Sequence, residues 1–337
     1  MIKDTVEMFG DIMMFAYENN ASDIHLSPLD DIAFRIDGKI IKTCSVKSAR
    51  AFSSTEIFEI AFYYKPDIDP DARSADFAFT FYSGDVKIRC RANLFSTLSW
   101  FSLAVRLFSS RIPEIQDLHV PKGVMKLIDK PHGLVLLAGP TGSGKSTTLA
   151  AMINHINSSQ AKRIITIEDP VEYLHASKLS IIAHREVGTN CESFFQGFKD
   201  SLREDPDIIL LGEIRDMKTM ELAMEAAESG HLILSTVHSS SVIECLNRVI
   251  GMFPAETSSI VANSLSVSLA GIVSQKLLPA RSGGRIAAYE VLINNPTIAN
   301  IIKINNMKHI TDYLRPEQGM ISFDESIKGL RNRRLIE

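Results

Sequence analysis

The sequence predicts an α/β protein of two domains, a smaller α+β domain followed by a larger one built on a mainly parallel sheet. Three observations predict it. The length of 337 residues exceeds one ordinary domain. Up to Ala92 apolar residues alternate with polar ones, whereas beyond Pro121 they form unbroken runs separated by helical patterns. One of those runs enters a glycine-rich turn, Gly139 to Thr147, that opens a helix.

The elements follow in order. Val6, Phe9, Ile12, Met13 and Ala16 recur at helical spacing, so residues 3–19 read as an amphipathic helix. Ile32, Phe34 and Ile36 then alternate towards a turn at Asp37-Gly38 and return through Ile40-Ile41, as a hairpin does. A second helix starts at Ser53 or Ser54, with Glu56 behind the cap, and stops at Lys65-Pro66. Phe77, Phe79 and Phe81 alternate strictly, Ser83-Gly84-Asp85 turns the chain, and Val86, Ile88, Cys90 and Ala92 alternate back. On that return strand Lys87, Arg89 and Arg91 share the face opposite the apolar residues. A third apolar run, Leu98 to Phe108, carries a single charge, Arg106.

Domain limits are therefore expected at 1–108 and 122–337, joined by a linker at 109–121. In the second domain Leu134 to Ala138, Ile164 to Ile167, Ile208 to Leu211 and Leu232 to Thr236 read as buried parallel strands with crossover helices.

Composition narrows the function classes. Hydrophobic residues make up 45% and charged residues 23%, the balance of a soluble globular chain. The net charge is −4 and the basic residues are scattered, so no nucleic-acid partner is expected. Cys44, Cys90, Cys191 and Cys245 are far apart and form no CxxC pair; they fit packing residues in a reducing compartment. The N-terminus does not read as a signal peptide, and no apolar stretch approaches the ~20 residues needed to span a bilayer. Membrane association is expected to be peripheral only.

The turn Gly139-Pro140-Thr141-Gly142-Ser143-Gly144-Lys145-Ser146-Thr147 sits between a strand and a helix, the context in which backbone N–H groups converge on the phosphates of ATP. Lys145 should reach the β- and γ-phosphates, and the Ser146 hydroxyl should ligate Mg²⁺. Hydrolysis also requires a carboxylate at the attacking water, and in open α/β sheets ligands lie outside the carboxyl ends of the strands. Glu168 and Glu213 both follow buried strands. Because Gly212 stands where the general pattern has Asp, Glu213 becomes the preferred catalytic carboxylate, with Glu168 assisting Mg²⁺ or water. His238 follows the strand at Leu232 to Thr236 and is a further candidate by position.

Together these motifs resemble the secretion ATPase superfamily of type II and type IV systems (GspE-like), most closely the PilT-like retraction ATPases. The resemblance rests on Ala21-Ser22-Asp23-Ile24-His25-Leu26, the loop at 139–147, the acidic stretch Thr166 to Glu172, the stretch Leu202 to Asp216, and Gly230-His231 through His238. It covers nearly the whole chain. It implies a PAS-like N-terminal domain, a RecA-like P-loop ATPase domain with C-terminal helices, and a homo-hexameric ring. It also implies that Gly212 is normal at its position, and that Arg89, Arg91 and Arg106 close over ATP bound between the domains. The work implied is type IV pilus retraction, and so twitching motility. The partners are the pilus machinery and an inner-membrane platform protein at the cytoplasmic face.

One departure stands out. Retraction ATPases carry Ala-Ile-Arg-Asn-Leu-Ile near the C-terminus, where this chain has Thr297-Ile298-Ala299-Asn300-Ile301-Ile302, without the arginine. Pilus assembly ATPases are longer and carry a four-cysteine zinc site, which neither this length nor these cysteines match. Energising export in a type IV secretion system, or a nucleotide-binding regulator with little turnover, stand as the alternatives.

Overall fold

The computed structural model describes residues 2–28, 30–42, 51–98, 100–109 and 111–337, which leaves Cys44 outside the described residues. The chain divides into two compact units, Met1–Arg111 with Glu172–Leu174, and Ile112–Val171 with His175–Glu337.

The first unit begins with helix α1 (Ile2–Glu18), whose Phe9, Ile12, Met13 and Ala16 form one fully buried stripe. Strands β1 (Asp23–Leu26), β2 (Ala33–Ile36) and β3 (Lys39–Lys42) follow, the last two joined by the expected turn. Helix α2 (Ser54–Tyr64) opens with a capping box, in which the Ser53 side chain accepts from the Glu56 N–H and Glu56 reaches back to Ser53. Strands β4 (Ser74–Ser83), β5 (Val86–Ser96) and β6 (Phe101–Leu107) complete a six-stranded sheet in the order β3-β2-β1-β6-β5-β4. Every pairing in it is antiparallel. Phe77, Phe79, Phe81, Ile88, Cys90, Leu94, Leu103 and Val105 turn one face into a core shared with α1 and α2. Alternation leaves the other face polar.

The second unit starts with α3 (Lys122–Ile128), β7 (Gly133–Ala138), α4 (Lys145–Ser159), β8 (Arg163–Glu168) and β9 (Ile181–Glu186). It continues through α5 (Phe194–Ser201), β10 (Ile208–Leu211), α6 (Met217–Glu228), β11 (Leu232–Val237), α7 (Val242–Gly251) and α8 (Ser258–Ser268). Strands β12 (Leu269–Pro279) and β13 (Arg285–Ile293) form an antiparallel hairpin, followed by α9 (Pro296–Lys303) and α10 (Phe323–Asn332). The seven-stranded sheet runs β13-β12-β7-β11-β10-β8-β9, parallel throughout except at β13.

Unbroken apolar strands have a direct cause here. Leu134, Leu136 and Ala138 of β7 enter a core with α6, α7 and α8, while Val135 and Leu137 enter the opposite core with α3 and α4. Both faces of the strand are buried, so no polar position remains. Among the described residues no helix is long and apolar enough to cross a membrane.

Beside β8 lies a half-buried polar pair. The His175 N–H donates to His184 Nε2 at 3.0 Å, so that nitrogen is unprotonated and Nδ1–H is left to donate to Thr166 Oγ1 at 2.8 Å. The two rings stack at 5.8 Å. Burial, with His184 and Lys178 adding to it, pushes the His175 pKa down to about 4 from 6.5. The unfolded chain therefore binds the extra proton first as pH falls, and stability declines between those two values. The full loss is about 3 kcal/mol. The urea midpoint is expected to fall from pH 6.5 to pH 4, with a flatter slope in His175→Gln; an unchanged slope contradicts this assignment.

Candidate active site

The phosphate loop is set by its glycines and by the strand before it. Gly142 and Gly144 hold φ of 77° and 87°, left-handed values that favour glycine. Gly144 is also the N-cap of α4, and it supplies no side chain to cap the first turn. The opening N–H groups of a 15-residue helix thus point into the loop. Lys145 lies at the first helical position, and its Nζ donates to the carbonyls of Gly139 at 2.8 Å and Pro140 at 3.0 Å, which aims the ammonium along the loop. The Ser143 hydroxyl is buried without a hydrogen-bond partner among the described residues. Ser146, one residue after Lys145, is exposed.

Sheet order brings the other candidates to the loop. β7, β11, β10 and β8 are adjacent and parallel, and their carboxyl ends lead respectively into the phosphate loop, His238, Glu213 and Glu168. The turn after β10 is laced to its neighbours, since Gly212 N–H donates to Ile167 O at 2.8 Å and Thr236 Oγ1 to Gly212 O at 2.7 Å. A Cβ at Gly212 would stand 3.4 Å from Glu168 Cα, an ordinary van der Waals contact, so the end of β8 lies directly against this position without crowding it. Asp216 closes the segment as the N-cap of α6.

Glu213 is held at one end only. Its Oε1 pairs with Arg215, which raises the arginine's pKa, while Oε2 is buried without a hydrogen-bond partner among the described residues. His238 Nε2 lies 3.6 Å from Oε2, within ion-pair range but too far for a hydrogen bond. Burial and the nearby Lys145 charge lower the His238 pKa, so the ring is neutral at pH 7. The His238 loop is fixed by Ser241, which caps α7, and by Glu290 of β13, which accepts the Val242 N–H at 2.8 Å. The arrangement gives a lysine for phosphate, a carboxylate with one unsatisfied oxygen, and a neutral imidazole beside it.

The three arginines lie in the first unit, together on the polar face of its sheet. Arg91 stands directly across from Arg106, and Arg106 across from Asp23, with Arg35 next in the same row. Arg106 Nε donates to Asp23 Oδ1 at 2.9 Å, and Arg35 comes within 3.7 Å of the same carboxylate. Arg91 is 3.8 Å from Asp76, and Arg89 donates to Thr80 at 3.4 Å. The Arg106 side chain remains 66% exposed while Asp23 is 12% exposed, so the carboxylate anchors the guanidinium without covering it.

Sequence reasoning missed Asp23 as the anchor of Arg106, Arg215 as the partner of Glu213, and Gln275. The last is a buried glutamine of β12 whose Nε2 donates to Ser143 O at 2.7 Å. For Asp23 and Arg215 a signal was available, since both fall within the motif stretches that carry the resemblance. For Gln275 there was none.

Comparison with known proteins bears on this geometry. The chain is 35% identical over 334 residues to the Pseudomonas aeruginosa type IV pilus retractation ATPase PilT, covering 97% of this chain and 94% of that one. It is 43% identical over 251 residues to a Neisseria gonorrhoeae twitching motility protein, covering 74% and 67%. A crystal structure of the pilus retraction motor PilT with bound ADP superimposes with a TM-score of 0.82 at 37% identity, covering 95% of this chain and 96% of the other. The Type II/IV secretion system protein family matches residues 3–283, and the chain, which carries the phosphate loop and the strand-end carboxylates described above, belongs to that family.

Proposed function

We propose that this chain is an ATP-hydrolysing motor, working as a homo-hexameric ring that drives type IV pilus retraction from the cytoplasmic face of the inner membrane. The observation that carries the reading is the meeting of Lys145, Glu213 and His238 at the ends of adjacent parallel strands. Lys145 and the loop N–H groups bind the phosphates, and Glu213 Oε2 orients the attacking water, with neutral His238 beside it. Mg²⁺ fits this donor set: Ser146 offers an exposed hydroxyl and Glu168 a carboxylate, and Mg²⁺ bound to nucleotide keeps most of its other ligands from phosphate and water. Held by these residues, Mg²⁺ would supply positive charge to offset that of the bound phosphates.

Arg89, Arg91 and Arg106 are assigned to the γ-phosphate, where a positive side chain stabilises developing charge and couples nucleotide state to domain position. Arg91→Ala and Arg106→Ala are each expected to lower turnover about 10-fold or more. Full turnover with normal nucleotide affinity in both removes the assignment.

Retraction further requires an inner-membrane platform partner to carry force to the pilin. Ala299 favours a second reading, export of a substrate by the same motor, because α9 keeps its Asn295 cap and buried Ile298, Ile301 and Ile302 but lacks the family's arginine. Steady-state phosphate release by the purified chain tests the common core of both. Turnover unstimulated by DNA is expected; negligible turnover would make the chain a nucleotide-binding regulator instead.

A further inference from the structure

Strand β12 pairs with β7 through Ser274 and Ala138, so Gln275 stands level with the start of the phosphate loop. Its side chain is 3% exposed, and both ends of its amide are used. Oε1 accepts from the Thr148 hydroxyl at 2.7 Å, and Nε2 donates to the Ser143 carbonyl at 2.7 Å. A carbonyl only accepts, so the amide orientation is fixed by Ser143, and Thr148 must be the donor at the other end. One planar group thus spans the loop and the first turn of α4.

The loop is built close around it. A Cβ at Gly144 would lie 2.9 Å from Gln275 Nε2, and one at Gly139 would lie 2.6 Å from Gln275 O. These two glycines therefore make room for β12 as well as for phosphate. The brace has a second anchor, because Tyr289 of β13 sits against Thr148 and donates its hydroxyl to Leu118 O at 3.1 Å.

The consequence follows from the peptide plane. The Ser143 carbonyl and the Gly144 N–H belong to one trans peptide and point in opposite directions. Holding that carbonyl against β12 turns the Gly144 N–H away from β12, at the residue that caps α4. Lys145 and Ser146 follow immediately, so their placement depends on the same fixed plane.

We propose that Gln275 is a positioning residue for ATP turnover, holding the Ser143–Gly144 peptide in the orientation that binds phosphate and fixing it to α4 through Thr148. The inference rests on the ATPase reading above. Gln275→Met keeps the length of the side chain and removes both hydrogen bonds; Gln275→Glu keeps the acceptor for Thr148 and sets an oxygen against the Ser143 carbonyl.

The test measures kcat and KM by phosphate release, and Kd for ATP and ADP, on the full chain, alongside melting temperature and ring size. Gln275→Met is expected to raise both Kd values and lower kcat about 10-fold or more, since displacement of about 1 Å can cost 10²-fold. Gln275→Glu is expected to lose more. Thr148→Val should cost less alone and add little to Gln275→Met, as partners in one network do. A Gln275→Met chain with kcat and Kd within twofold of the parent overturns the proposal, as does a loss accounted for entirely by unfolded chain. If the parent itself releases no phosphate, the ATPase reading falls, and the Kd comparison still decides this one.

Discussion

Lys145→Ala is expected to lower ATP turnover by at least about 10²-fold and to weaken nucleotide binding with it. Lys145 is almost fully buried, and its ammonium bonds the Gly139 and Pro140 carbonyls, so it is confined to the loop rather than free in solvent. A short side chain removes the one positive charge that the loop itself supplies and leaves those carbonyls without their donor. The fold should survive, because α4 is held by Leu149, Met152, Ile153 and Ile156 in the core beneath it. A melting temperature near that of the parent, with both Kd and kcat damaged, is the expected pattern. Intact binding and turnover would remove Lys145 from the mechanism.

Glu213→Gln is expected to behave differently, with kcat reduced by about 10² to 10⁴ and ATP affinity retained. The substitution preserves shape but removes the charge that pairs with Arg215 and the oxygen that faces His238. Phosphate binding does not depend on that oxygen, whereas activation of a water does. The two variants therefore separate binding from chemistry: Lys145→Ala damages both, and Glu213→Gln damages kcat alone. A Glu213→Gln chain with parental kcat would shift the catalytic role to Glu168.

Much of the fold was legible because burial writes itself into the sequence. The four strands that end at the site are buried on both faces and appear as mainly apolar runs without alternation, broken only by the buried hydroxyls of Thr166, Ser235 and Thr236, while the first sheet appears as alternation. β9 was not legible, since it is an edge strand and only partly buried. The β12–β13 hairpin was hidden by the buried polar residues Ser274, Gln275 and Glu290; no local pattern reveals the distant hydrogen-bond partners that Gln275 and Glu290 find.

The site divides along the same line. The phosphate loop and the strand-end carboxylates are local motifs in a local context, so spacing alone is enough to nominate them. Asp23 is separated from Arg106 by 83 residues, and Gln275 from Ser143 by 132; only the sheet order brings these pairs together. The arginine face lay between the two cases: alternation placed Arg89 and Arg91 on one side, but strand pairing was needed to add Arg106 and Arg35 to it.

The central claim, that ATP turnover here does the work of pilus retraction, is tested most directly by counting surface pili and following their shortening in cells lacking this protein, complemented by the parent or by Glu213→Gln. The account predicts abundant, immobile pili without the protein, restored movement with the parent, and no restoration with Glu213→Gln. Loss of pili, or normal retraction in the absence of the protein, would contradict it.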